Sequence, residues 1–185
     1  MKPIERSEIL DYVTYGEQRD QIRDSALRAK SVRRILVGEH FTFLFENRET
    51  VRYQIQEMMR IEQIVKEDDI QHELDTYNEL LHPKGTVGCT LMVGIDDERE
   101  RDVKLRAWMG LNEHIYARLP NGATVKPTWD PRQVGETRLS SVQYLSFALG
   151  DVAPVAVGID MPGVELETEL SAAQQDALGQ DLGAE

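Results

Sequence analysis

The sequence predicts an α+β fold, helical in its first half and mostly antiparallel sheet in its second. Three observations carry this. Apolar residues between 47 and 82 recur at helical spacing on two consecutive segments. Alternating apolar stretches then cluster after residue 86 instead of taking turns with helices. Finally, Asn121-Gly122 joins two of those stretches with a strong two-residue hairpin signal. Strands joined by hairpins pair antiparallel, whereas a parallel pair needs a long crossover connection.

In chain order, residues 7–30 carry Ile9, Leu10 and Val13, then Ile22, Ala26 and Leu27, at helical spacing. Gly16 predicts a break between two short helices. The period changes at Ile35 and Val37, followed after Gly38-Glu39 by Phe41, Phe43 and Phe45, which predicts a β-hairpin. Thr42 and Leu44 between the aromatics predict a second strand buried on both faces. Asn47 is a good N-cap for a helix carrying Val51, Ile55, Met58, Ile61 and Val65. Glu67, Asp68 and Asp69 suit the positive end of a following helix with the stripe Ile70, Leu74, Tyr77 and Leu81, stopped by Pro83 and Gly85. Residues 47–82 thus form an αα-hairpin.

Strands are predicted at 86–95, 115–119, 123–128, 141–149 and 155–159, with a short one at 166–170. Glu98 to Met109 reads as a helix ended by Gly110, and Ser171 with Gln174 as a capping box opening a terminal helix. The expected organisation is one domain over 1–180, followed by a flexible acidic tail at 181–185.

The 185 residues include 21 Lys+Arg and 33 Asp+Glu, a formal net charge of −12. The excess acid lies after residue 60, and from Asp151 onward there is no Lys or Arg at all. Such a surface repels phosphate backbones, so nucleic acid is not an expected partner. The basic stretch Arg19, Arg23, Arg28, Lys30, Arg33 and Arg34 is interleaved with Asp20 and Asp24, the pattern of a solvated helix face. There is no long apolar run and no apolar leader, so the expectation is a cytoplasmic protein with no membrane partner. Cys89 is the one cysteine, which excludes an intrachain disulfide and an all-cysteine iron–sulfur site.

Motifs for nucleotide phosphates, a nucleophile elbow and zinc proteases are absent. Glu79-Leu80-Leu81-His82 is a single E-x-x-H, where a di-iron bundle needs two, so His82 is expected at a solvated helix end. The richer constellation lies on the αα-hairpin. Tyr53, Glu57 and Arg60 form one polar stripe, Arg52, Gln56 and Gln63 its neighbour, and the second helix offers His72, Glu73, Asp75, Thr76, Tyr77 and Asn78. Glu57 with His72 would serve as an acid–base pair or as two ligands of a divalent metal, with Arg52 and Arg60 as further catalytic candidates. Tyr53, Gln56, Tyr77 and Asn78 would then contact a ligand. The plainer alternative pairs Glu57 with Arg60 or Arg52 and leaves His72 in water. Trp129 and Tyr144 offer a third option, a small-ligand site in the sheet half.

The run Phe45-Glu46-Asn47-Arg48-Glu49-Thr50-Val51-Arg52-Tyr53-Gln54-Ile55-Gln56-Glu57-Met58, with Arg60, resembles the hallmark of DUF3501, a bacterial family of uncharacterised proteins. Residues 73–81 and 140–145 are similar to its second and third blocks. No activity is established for the family, so the resemblance assigns no catalytic residue. It implies an accessory role in peroxide or redox metabolism, beside rubrerythrin-like and iron–sulfur reductase-like proteins.

The leading expectation is therefore a non-catalytic accessory or interaction protein whose partner is a protein of cationic surface, such as a redox protein, or a second copy of the chain. The alternative is a metal-dependent or acid–base enzyme on residues 47–82.

Overall fold

In this computed structural model, which describes residues 1–184, the strands form two four-stranded sheets. The first has the order β1 (Arg34–Val37), β2 (Phe41–Phe45), β3 (Thr86–Val93) and β6 (Val142–Ala148). The second has the order β5 (Thr124–Val125), β4 (Ile115–Arg118), β7 (Ala156–Met161) and β8 (Val164–Glu169). All pairings are antiparallel. The α+β class is as the sequence predicts. The division into two sheets is new, as is the position of the first hairpin, which pairs through β2 with β3 of the second half.

Register explains the core. Phe43 lies opposite Leu91, Phe45 opposite Cys89, and Cys89 opposite Leu145, so one face of the first sheet is apolar save for the buried Gln143 opposite Leu91, which accepts from Asn112 at 2.9 Å. It meets Ile115, Ala117, Val157 and Ile159 of the second sheet in a continuous buried cluster. Leu105 of α4 (Glu98–Ala107) and Leu178 and Leu182 of α6 (Ala172–Gly183) belong to the same cluster. Burial of each large side chain there contributes about 2–3 kcal/mol. The Cys89 thiol is sealed in this core, and burial pushes its pKa up, as suits an inert thiol.

The opposite face of the first sheet carries Leu44, Thr90, Met92 and Tyr144 and is overlaid by helices. Here α2 (Arg48–Ile61) and α3 (Glu67–Asn78) pack with the N-terminal segment around Ile4, Ile9, Val51, Ile55, Met59, Ile70 and Leu74. Asn47 caps α2 as expected, its side chain accepting from Thr50 N at 3.0 Å. Leu44 is buried and Thr42 half-buried, in keeping with a β2 covered on both faces.

Four expectations at element boundaries need correction. First, α1 (Tyr12–Ser31) runs through Gly16 without a break. Asp11 caps it, Tyr15, Ala26 and Ala29 anchor it, and open space surrounds Gly16. Packing at both ends outweighs about 1 kcal/mol of glycine penalty. Gly16→Ala is accordingly expected to stabilise the fold by about 0.5–1 kcal/mol, read as a higher denaturant midpoint at unchanged slope. Second, the strand predicted at 123–128 shrinks to Thr124–Val125, because Pro127 has no N–H to continue the ladder. Beyond it Thr128 bridges to Ser146 of the other sheet.

Third, the expected tail is helical at its start. α6 continues to Gly183, with Asp181 and Leu182 buried, while Glu185 lies outside the described residues. Fourth, both helices of the αα-hairpin stop short: α2 ends at Ile61, leaving Ile61 and Val65 exposed, and the helix predicted to reach Leu81 ends at Asn78, with Leu80 and Leu81 following in a turn. The expected helix at 98–109, the Asn121-Gly122 hairpin and the Ser171 capping box are all present. A short helix, α5 (Leu111–His114), precedes β4. No helix among the described residues is long and apolar enough to cross a membrane.

Candidate functional site

The polar stripe on α2 comes together, but as structural pins. Glu57, 9% exposed, accepts hydrogen bonds from Tyr15 Oη at 2.6 Å and from Arg19 Nε and Nη2 at 2.8 and 2.9 Å. Arg60 adds longer contacts at 3.3 and 3.4 Å. The Arg19 hydrogen bonds, helped by Tyr15 and Arg60, hold the Glu57 carboxyl down at about 2 despite burial. An anion locked in this way ties α1 to α2 and is a poor general base near neutral pH.

His72 is exposed on α3 and makes no side-chain hydrogen bond to Glu57, so the proposed acid–base pair is not assembled. The sequence pointed to these helices because spacing alone brought the two residues level; α1 occupies the place opposite Glu57. Arg52 is exposed as well. Among the described residues no three His, Cys, Asp or Glu side chains converge as a metal site.

Two of the four ligand-contact candidates hold backbone. Gln56 accepts from Leu10 N at 2.8 Å and donates to Leu10 O at 3.2 Å. Asn78 does the same with Ile4, at 2.7 and 3.0 Å. A carboxamide offers one donor and one acceptor side by side, as a peptide edge does, so each residue acts as a surrogate strand for the N-terminal segment. Tyr53 is buried beneath Lys30, whose Nζ lies 5.1 Å from the ring centroid. Tyr77, half-buried at the end of α3, faces open space.

That space is a cavity of about 350 Å³ between the end of α3 and β6. Its walls are Tyr77, Leu80, Trp129, Tyr144 and Leu145, with Thr76, Glu79, His82, Thr128, Asp130, Gln133 and Ser146 as polar groups. Local structure explains how they meet. A Cβ at Gly88 would lie 2.2 Å from the Leu80 carbonyl oxygen, so glycine in β3 lets the turn after α3 rest directly on the sheet. On the far side, Thr128 exchanges two backbone hydrogen bonds with Ser146 at 2.8 Å. Gln133 repeats the carboxamide clamp on Tyr144, both bonds 2.7 Å. The loop carrying Trp129 is thereby fastened along β6.

Within the cavity His82 Nε2 lies 2.8 Å from Ser146 Oγ. Burial lowers the His82 pKa, which favours the neutral imidazole beside the hydroxyl. His82 is therefore half-buried in the cavity wall, in contrast to the solvated helix end expected from its sequence position. Trp129 and Tyr144, read from sequence as a ligand option, do share one wall. Ser146 and His82 were missed because no spacing links them; they are neighbours only once β6 lies beside β3.

A smaller chamber of about 240 Å³ adjoins this cavity, sharing Tyr77, Leu80 and Tyr144 with it. At its inner end Glu46, 6% exposed, accepts from Thr50 Oγ1 at 2.5 Å and Thr90 Oγ1 at 2.7 Å. Lys30 and Arg34 line the same chamber.

Fold and site together define an α+β protein with two antiparallel sheets, a helical cover and a ligand-sized cavity between cover and sheet. The chain belongs to the DUF3501 family, described as proteins of unknown function, whose model matches residues 3–182. It is similar to a crystal structure from Burkholderia pseudomallei K96243, described as a novel protein of unknown function. That structure is 27% identical with a TM-score of 0.89, over 98% of this chain and 100% of the other. No curated protein matches.

Proposed function

We propose that this chain is a cytoplasmic accessory protein that binds a small, largely apolar organic ligand in the cavity between α3 and β6. The observation that carries this is the aromatic enclosure itself: Tyr77, Trp129 and Tyr144 surround about 350 Å³ of space that also holds the Ser146–His82 pair. A mostly apolar cavity of this size with a few convergent polar groups is the common form of a small-molecule site. The enzyme alternative on the αα-hairpin loses its support because Glu57 is committed to Arg19, Tyr15 and Arg60. Service to a peroxide or redox system, through a partner protein with a cationic patch, is the finer form of this reading. Its support is the family resemblance and the excess of acid after residue 60.

The test uses Trp129 as reporter in a Trp108→Phe chain, screened against small aromatic and aliphatic acids, amides and alcohols. At least one is expected to change Trp129 emission and raise the thermal midpoint, with stabilisation of about 2–3 kcal/mol at a hundredfold excess over Kd. Thr76→Trp, which fills the cavity from the exposed side of α3, is expected to abolish both effects. A folded protein whose Trp129 responds to none of them overturns the proposal.

A further inference from the structure

We infer that the ligand is a small organic monoanion, a carboxylic acid with an apolar or aromatic body, whose carboxylate enters the adjoining chamber against Lys30 and Arg34. The inference rests on the reading of the larger cavity as a ligand site, and it specifies what that site takes.

Lys30 sits in the last turn of α1, half-buried, with the Tyr53 ring beneath its ammonium. Among the described residues no carboxylate lies within 4.0 Å of its Nζ or of the Arg34 guanidinium. That is unusual in this chain, where acids outnumber bases by 33 to 21. Lys104 and Lys126 hold ion pairs, and Lys2, Lys66 and Lys84 project into water. Lys30 is thus the one lysine that is both unpaired and withdrawn from solvent. Burial holds its pKa below the usual lysine value, a cost that an anion beside it would offset.

The remaining walls set the rest of the ligand's chemistry. Among the described residues Glu46 is the one carboxylate lining the chamber, and each of its oxygens already takes a threonine hydroxyl. Two cations against one anion leave a single positive charge in excess, which suits a monoanion better than a phosphate dianion and disfavours a metal cation. Leu44, Val51, Met92 and Val142 supply an apolar lining around the charged pair. Because Tyr77, Leu80 and Tyr144 are common to both spaces, a molecule with its carboxylate at Lys30 would lay its body across them towards Trp129.

The experiment titrates butyrate, hexanoate, phenylpropionate and phenylbutyrate, each beside its primary amide, into the Trp108→Phe chain. The readout is the Trp129 indole N–H resonance. At least one acid is expected to bind about tenfold more tightly than its amide, as a hydrogen-bonded charge pair gives. Lys30→Met should bring the acid down to the affinity of the amide and leave the amide unmoved, while Lys30→Arg should keep the preference. Equal affinities of acids and amides in the unsubstituted cavity overturn the assignment of an anion but leave the cavity as a ligand site. So does an equal loss for both in a folded Lys30→Met chain. If that variant does not fold, the acid–amide ratio decides alone. Binding of neither series overturns this inference and the reading beneath it together.

Discussion

Arg33→Met, with Asp181 left in place, is expected to destabilise the protein by about 3–5 kcal/mol, the largest effect of any single substitution considered. The two side chains are each 9% exposed and meet through two hydrogen bonds of 2.7 and 3.0 Å, while Arg33 Nη1 also donates to Ala29 O at 3.0 Å. The pair joins the exit of α1 to α6, which puts Leu178 and Leu182 against the core between the sheets. Removing one partner leaves the other charge buried and uncompensated, which costs far more than the pair contributes while intact. The double variant Arg33→Met/Asp181→Leu should therefore regain much of what the single variant loses. Chemical denaturation of the three chains measures this, and strictly additive losses would show that the two charges are not coupled.

Stability should also fall as pH drops from about 4.5 towards about 2, and a large part of that fall should vanish in Glu57→Gln. The sign follows from the direction of the shift. Glu57 has a folded pKa of about 2 against an ordinary 4.5, so the folded state holds the ionised carboxylate more tightly than the unfolded one does. The stabilisation is complete above about 4.5 and is lost as pH falls through the folded value. The shift corresponds to about 3 kcal/mol at neutral pH, an order-of-magnitude figure for a carboxylate this well buried. Other carboxylates titrate in the same window, so the quantity to read is the difference between the thermal melts of the two chains across it. A parallel pair of curves would remove Glu57 from the account. Glu57→Gln also leaves Arg19 and Arg60 without their counter-charge, so it should be less stable at every pH above that window.

Both predictions concern contacts made by α1 or by the residues just after it, and this is where the sequence was hardest to read. Its charges interleave with apolar residues and Gly16 suggests a break, yet Tyr15, Arg19, Lys30 and the following Arg33 all do structural or chamber-lining work. The Tyr15–Glu57 and Arg33–Asp181 contacts span 42 and 148 residues, distances over which no local pattern carries information. Gln56 and Asn78 illustrate the opposite error. As polar residues beside an apolar stripe they looked like ligand contacts, but the backbone of the N-terminal segment was the partner they needed.

Local physics was enough for the α+β class, the αα-hairpin, the Asn121-Gly122 turn and the Ser171 cap, because periodicity, capping and turn geometry act over a few residues. The block at 45–58 was likewise enough to point to the family. What only tertiary structure decided was the division into two sheets and, on the helix-covered face of the first of them, the groups that line the cavity and its chamber: Ser146 with His82, Trp129 with Tyr144, and Lys30 with Glu46. These residues belong to elements whose mutual placement is set by burying the shared phenylalanine, leucine and valine core. That burial is non-directional and sums over the whole chain, so no stretch of sequence contains it.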